Sequence, residues 1–398
     1  MYFKTYSKYE CTACSACKHI CPVKAISFHL DEEGFLFPSI DKNICINCGL
    51  CERICPIEHP INSHRSSLNV YAAILKDIEQ RKKSSSGGIF YAIACWVLEQ
   101  GGKVYGVTID DAHKVKHIYV EKLEDLHLLR GSKYVQSDLQ DLFDDIKKEL
   151  IKERWCYFVG TGCQVAGLRA FLCKDYKTLL TTDLVCHGVP SQWLFDQHVK
   201  LIETKYRGKL ISYAFRDNNK WCGSEILTLN IGSKLKTIKN PTYFKSPYLN
   251  AFISSMVLRY SCYDCKYATI HRVGDITLAD YWGIENFIPN IDKRYGVSMM
   301  MINTNKGEYI RKQIAKNCIF WETTISEAIK YNSSIIHTTS MPEIRPHIYK
   351  LIQEKGYPYV AETIFKSKRY YKTIIVQTLL SNNIIKKVVV PILNLFRI

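Results

Sequence analysis

Residues 11–22 read CTACSACKHICP and residues 45–56 read CINCGLCERICP. Both reduce to C-x2-C-x2-C-x3-C-P, and each follows a lysine three positions ahead, Lys8 and Lys42. A spacing repeated this closely marks two copies of one small unit. Three thiolates two residues apart wrap a tight loop around one face of an iron–sulfur cubane. The fourth sits on the next helical turn, points the other way and ligates the other cluster. One 4Fe–4S cluster is therefore assigned to Cys11, Cys14, Cys17 and Cys55, and a second to Cys45, Cys48, Cys51 and Cys21. Pro22 and Pro56 turn the chain away after each motif. Zinc ribbons use two C-x2-C pairs instead of triplets followed by C-P.

Over about residues 1–60 the pattern resembles a bacterial-type two-cluster ferredoxin domain of α+β type, with short strands at Ala25–Phe28 and Phe35–Phe37. His19, inside the first motif, reads as a solvated surface side chain. The chain has 398 residues and 17 cysteines, an odd count that disulfides alone cannot use. The opening MYFKTYSKYE carries no apolar segment of signal-peptide type, so a cytoplasmic metal protein is expected over a secreted disulfide scaffold. With 47% hydrophobic residues the chain is globular, and no apolar run is long enough to predict a membrane span.

Residues 61–69 read as a polar linker. After them come a strand at Val70–Ile74, then RKKSSSGGIF, then a helix over about 88–100 ended by Gly101. Ser84, Ser85 and Ser86 can cap that helix, and Gly87 and Gly88 open it, with Arg81, Lys82 and Lys83 just ahead. Such a serine- and glycine-rich helix start suits an anion and equally suits an ordinary capped helix. Lys103–Ile109 is a strand, and Arg130, Gly131, Ser132 and Lys133 form a second basic turn.

Two strand–turn–helix units follow. In one, Trp155–Val159 leads into a turn holding Cys163. In the other, Leu179–Val185 leads into Cys186-His187-Gly188, with Pro190 and Ser191 starting the helix. Units of this kind in series predict an α/β fold with a largely parallel sheet, whose ligands lie at the carboxyl ends of the strands. Cys262 and Cys265 add a C-x2-C pair. With Cys163 and Cys186 they make a four-thiolate set that fits a third 4Fe–4S cluster, a zinc site or unbound thiols. Gly274–Gly283 is a further strand, with Asp280, Tyr281 and Trp282 at its end; the aromatic pair fits a flavin ring or the core. Phe215–Trp221 is a polar loop over the same cleft. Cys95, Cys156, Cys173, Cys222 and Cys318 lie outside any ligand spacing and read as buried structural thiols.

SSSGGIF, GGKVYGV, LRGSKYVQS, GTGCQVAGL, DLVCHGVPS, SCYDCKY and GDITLADYWG occur in this order. As a set they resemble the coenzyme F-420 hydrogenase/dehydrogenase beta-subunit family over roughly residues 70–305, with the ferredoxin domain in front. The resemblance implies an iron–sulfur flavoprotein with FAD. It places a third 4Fe–4S cluster on Cys163, Cys186, Cys262 and Cys265, and flavin contacts on Ser84–Gly88 and Arg130–Lys133. Members reduce the deazaflavin or take electrons from ferredoxin, and many bacterial members accompany surface-polysaccharide genes. The family pattern has Pro where this chain has Gly162.

The expected division is a dicluster domain at 1–60, α/β subdomains at 70–150 and 151–305, and a helical extension at 306–398. The expected function is electron passage from a low-potential donor through the clusters to FAD and on to a small organic acceptor, with His187 and then Asp280 as candidate proton donors. The competing reading is a carrier subunit that relays electrons to a partner protein. The formal charge of +16 falls to roughly +8 once three clusters and FAD bring about −2 each. That balance suits an acidic electron-transfer partner, and no nucleic-acid motif accompanies it. Lys366, Lys368, Arg369, Lys372, Lys386, Lys387 and Arg397 interrupt an apolar tail that fits either packing on the main domain or peripheral contact with an anionic membrane.

Overall fold

The computed structural model describes residues 2–61, 69–217, 225–240 and 243–366. The basic tail beyond 366, Cys222 and the tip of the 215–221 loop lie outside the described residues.

The N-terminal portion holds one antiparallel hairpin, β1 (Ile26–Leu30) against β2 (Leu36–Ile40). Asp31 closes the turn by accepting from the backbone N–H groups of Glu33 and Phe35 at 3.0 and 2.8 Å. Gly34 is required there twice over. Its φ is +79°, and a Cβ would fall 2.3 Å from Cβ of Trp193 in the neighbouring portion of the chain. The repeat seen in the sequence recurs in the backbone. Ala13 and Asn47 share φ near 53°, and Ser15 and Gly49 take φ of 65° and 70°. These left-handed residues curl each ligand loop before the short helices Ala16–Ile20 and Leu50–Arg53.

The main body is an eight-stranded sheet. In chain order its strands are β3 (Asn69–Leu75), β4 (Lys103–Ile109), β5 (Val115–Val120), β6 (Cys156–Thr161) and β7 (Leu179–Leu184), then β11 (Ile276–Asp280), β12 (Ser298–Ile302) and β13 (Cys318–Thr323). The spatial order is β13-β3-β12-β11-β7-β6-β4-β5. Its centre, β4, β6, β7 and β11, is parallel. Antiparallel strands extend it on both edges. Central strands covered on both faces read as continuous apolar runs. Ser298–Ile302 is buried throughout, and Tyr157 and Phe158 face opposite layers with no exposure. Helices Ile89–Glu99 and Asn305–Ile314 cover one face, and Leu142–Ile151 and Gly162–Leu172 cover part of the other. Strands from 70–150, from 151–305 and from beyond 305 share this sheet. β13 lies inside the stretch expected to be helical, where CIFWET alternates too briefly to stand out.

A separate antiparallel sheet is formed by β8 (Lys209–Ala214), β9 (Ile226–Ile231) and β10 (Lys234–Lys239). Beneath it, Phe35 and Phe37 of the hairpin join one buried cluster with Leu194, Phe195, Tyr248 and Tyr349. Each of these phenylalanines contributes about 1.5–3 kcal/mol by burial. The ferredoxin portion therefore shares a core with the rest of the molecule.

Candidate metal centres

Cys11, Cys14, Cys17 and Cys55 line one recess of about 420 Å³ with Phe28, Pro38 and Ile57. Three thiols come from the first motif and the fourth from the second, as the spacing requires. Cys51, assigned to the other set, also borders the recess, so the two sets adjoin. Burial pushes the thiols of Cys11, Cys14 and Cys17 up, and neighbouring thiols of the same set push further. Packed thiols of this kind ionise when a cation sits among them. The second set is nearer solvent: Cys48 is exposed, Cys45 half-buried, and the Cys21 sulfur accepts from the Ala25 N–H at 3.2 Å.

Cys163, in the first turn of its helix, and Cys186, just past β7, meet Cys262 and Cys265 around a second recess of about 700 Å³, measured to its open mouth. The four thiols are brought together from three distant segments. Burial is the main force raising them, with Cys163 pushed up to about 11 and Cys186 to about 12. The Cys163 sulfur lies 3.1 Å from Thr161 Oγ1, and the Gly188 N–H donates to the Cys186 sulfur at 3.3 Å. Arg272, buried and tied to Asp183 at 2.7 Å, offsets part of the rise at Cys186 and Cys265. Among the described residues no three Cys, His, Asp or Glu side chains are grouped to hold a single metal ion. Four thiols spread around a recess fit a cluster better than one tetrahedral zinc. A Cβ at Gly162 would lie 2.8 Å from Cβ of Tyr267, so glycine here accommodates the tyrosine beside the recess.

The segments around Ser84 and Arg130 also converge. The Ser132 N–H donates to Ser85 Oγ at 2.8 Å, and Arg130 donates to Ser84 Oγ at 2.9 Å and to Gln80 Oε1 at 2.7 Å. The three serines do not cap the helix. Ser84 and Ser86 donate to the carbonyls of Gln80 and Val297, and Gly88 stands at the N-cap with φ +88° and no side-chain cap. Gly87 packs against the sheet, where a Cβ would lie 2.2 Å from the Ala73 carbonyl oxygen. What remains is a fit for phosphate: an uncapped helix start, an Arg130 Nε with no partner among the described residues, and Lys133. The Lys133 amine donates to the Arg130 carbonyl at 2.8 Å, and burial pulls it down to about 7.

Residues 153–328 match the family model for the C terminus of the coenzyme F420 hydrogenase/dehydrogenase beta subunit. Residues 10–58 match the 4Fe-4S dicluster domain. This chain joins a dicluster domain to a beta-subunit-family domain. A chain of the F420-reducing NiFe hydrogenase complex from Methanosarcina barkeri is 17% identical; the match covers 78% of this chain and 96% of that one, at a TM-score of 0.42. No curated protein matches the sequence.

Within the beta-subunit-family domain, several expected roles change. His187 lines the four-thiol recess, but both ring nitrogens are engaged, Nδ1 with Thr339 Oγ1 at 3.2 Å and Nε2 with the Phe252 carbonyl at 3.2 Å and Ser255 Oγ at 3.1 Å. Burial holds it below the usual histidine range. Asp280 is ion-paired with Arg216 at 2.7 Å, which also places Phe215 and Arg216 beside the β11 end. Tyr281 belongs to the core with Val70, Met299 and Ile335, so of the aromatic pair only Trp282 keeps partial exposure. Arg81 is a buried strut to Asp292 and the Gly296 carbonyl, not part of an anion site. His19 is buried against Phe143 and Phe171 with Asp144 at 3.0 Å, because the ferredoxin portion docks there. Cys156 and Cys318 are buried as expected, Cys95 is half-buried, and Cys173 is exposed at a left-handed helix end.

Sequence reasoning missed the residues between the two recesses. Tyr267 borders the four-thiol recess and donates from its hydroxyl to the Pro56 carbonyl at 3.2 Å. A Cβ at Gly167 would lie 2.6 Å from the Cys14 carbonyl oxygen. Gln136 donates to the Thr12 carbonyl at 3.1 Å, and Arg259 donates to the Cys11 carbonyl at 2.8 Å. Their one sequence signal is that Arg259 and Tyr267 flank the C-x2-C pair.

Proposed function

We propose that this iron–sulfur electron-transfer protein is a flavin-dependent oxidoreductase that takes electrons from a low-potential protein donor and delivers them to a small organic acceptor. One observation carries the reading: the inner ferredoxin thiols and the four-thiol set face each other across a single layer of side chains, Tyr267 among them. Bound 4Fe–4S clusters would supply one-electron transfer there, and FAD the change to two-electron chemistry. The chain's own part is positional. Cys11, Cys14, Cys17 and Cys55 hold the inner ferredoxin site, and Cys21, Cys45, Cys48 and Cys51 hold the outer one. The exposed loop around Cys48 faces an incoming donor. Cys163, Cys186, Cys262 and Cys265 hold the third cluster. Lys133, Arg130 Nε and the uncapped N–H groups after Gly88 receive the flavin phosphates. His187 and Asp280 position neighbours in place of donating protons, since each is already committed to Thr339 or Arg216.

A second reading, a relay protein without its own acceptor, is favoured by the serine–arginine corner, where most donors already face protein partners. Anaerobic purification with iron, sulfide and flavin counted per chain separates the two. About twelve irons with one FAD supports the flavoprotein. About twelve irons without flavin supports the relay, and about eight without flavin removes the third cluster as well.

A further inference from the structure

Arg259 is 1% exposed. Its Nε donates to the Cys11 carbonyl at 2.8 Å, Nη1 to Gln136 Oε1 at 3.2 Å and Nη2 to the Leu36 carbonyl at 2.9 Å. The guanidinium stacks over Phe37 at 4.2 Å and lines the four-thiol recess. The other deeply buried arginines each have a carboxylate: Arg81 has Asp292, Arg272 has Asp183 and Arg345 has Glu33. Arg259 has none among the described residues. A buried charge without a counter-charge is costly, because its three neutral acceptors do not replace an anion. Its field falls instead on two thiols of different sets, Cys11 on one side and Cys163 on the other, and it favours the thiolate at both.

From this placement we infer that Arg259 is the shared counter-cation of two metal centres, the inner ferredoxin cluster and the cluster on Cys163, Cys186, Cys262 and Cys265. The inference rests on the reading that both thiol sets carry clusters. Adding an electron to either centre adds one negative charge beside the same guanidinium, so the cation favours the reduced form of both. When an electron crosses between them, one centre is oxidised by one electron and the other reduced by one. No bond forms or breaks and no proton moves. A cation acting on both sides leaves the driving force between the centres nearly unchanged while making each easier to reduce from outside.

The test is a potentiometric titration of the purified holoprotein followed by electron paramagnetic resonance, with iron counted in each preparation. In R259M both midpoints are expected to fall, each by about a tenfold change in the reduction equilibrium, which is about 59 mV for a one-electron couple. R259K, which keeps the charge, is expected to hold both within twofold of wild type. Q136E places a carboxylate where Nη1 now meets an amide; it is expected to lower both midpoints at least threefold. Q136E carries the decision if R259M does not fold. Full iron content with one or both midpoints unmoved in Q136E overturns the shared role, and so does an R259K shift as large as that of R259M. A wild-type count of about eight irons instead removes the third cluster itself, a distinct failure.

Discussion

Glu33→Gln should loosen the attachment of the ferredoxin portion. Glu33 sits in the hairpin turn and receives both guanidinium arms of Arg345, at 2.9 and 2.6 Å. The arginine side chain is fully buried and the glutamate 7% exposed, so water cannot stand in for a lost partner. Arg345 also donates through Nε to the Leu258 carbonyl at 2.7 Å and stacks on Tyr260 at 4.2 Å, which fixes it in place. The amide of the variant can accept one of the two bonds but cannot neutralise the charge. Removing one member of a buried ion pair costs about 3–5 kcal/mol, and the retained bond puts E33Q near the lower end. Urea titration under anaerobic conditions reads the loss through Trp193, which lies against the Gly34 turn. The expected result is a clear fall in the midpoint of the transition that moves Trp193, with earlier proteolytic release of an N-terminal fragment. Glu52→Gln breaks only the exposed pair with Lys4 and should leave the midpoint in place. E33L/R345M, with neither charge, should recover most of the loss. The reasoning fails if E33Q behaves like E52Q, or if the double variant is no better than E33Q.

Three further outcomes follow from the same geometry. Cys262→Ala should lower the iron content from about twelve to about eight per chain while leaving the dicluster signal intact, checked by iron analysis and resonance spectra. Gly167→Ala pushes a methyl into the Cys14 backbone and should cost about 1–3 kcal/mol in a denaturant titration, with helix propensity alone predicting a gain. His117 is buried beside Ser137 and the Val159 carbonyl, and burial lowers it to about 4. The unfolded chain keeps a value near 6.5 and so binds the extra proton first as pH falls. Stability from this group is therefore complete above about pH 6.5 and is lost toward pH 4, on the order of 3 kcal/mol in total. His117→Gln should flatten that slope relative to wild type between pH 7.5 and 5, and parallel slopes would sink the assignment.

The N-terminal fold is legible in the sequence because cluster ligation forces spacing, and spacing survives as a string. The same holds for β6 and β7, whose apolar runs end in glycine turns that carry Cys163 and Cys186. The serines at 84–86 mislead for a physical reason. Their hydroxyls bond the nearer carbonyls of Gln80 and Val297 and the N–H of Ser132, partners that only the fold supplies. His19 misleads because nothing local announces that Phe143 and Phe171 will cover it. Arg259 and Gln136 carry no pattern at all. Each is a single polar residue whose meaning depends on lying between two sites that the chain visits far apart.

Docking and electron passage use overlapping residues, yet the structure allows them to be pulled apart. Phe35, Phe37 and the Glu33–Arg345 pair hold the ferredoxin portion through burial and charge pairing, and the pair contacts no thiol of either recess. Gln136 and Arg259 hold it too, but their polar atoms lie beside Cys11 and the four-thiol recess. A change at Glu33 should therefore move stability and leave the potentials of intact molecules alone. A change at Gln136 should move potentials by more than its effect on stability would suggest. If both variants shifted both quantities in proportion, the interface would be one mechanical unit and the position of Arg259 would be a by-product of docking. If the two effects separate, the placement of a lone buried cation between two thiol sets is an electrical feature in its own right.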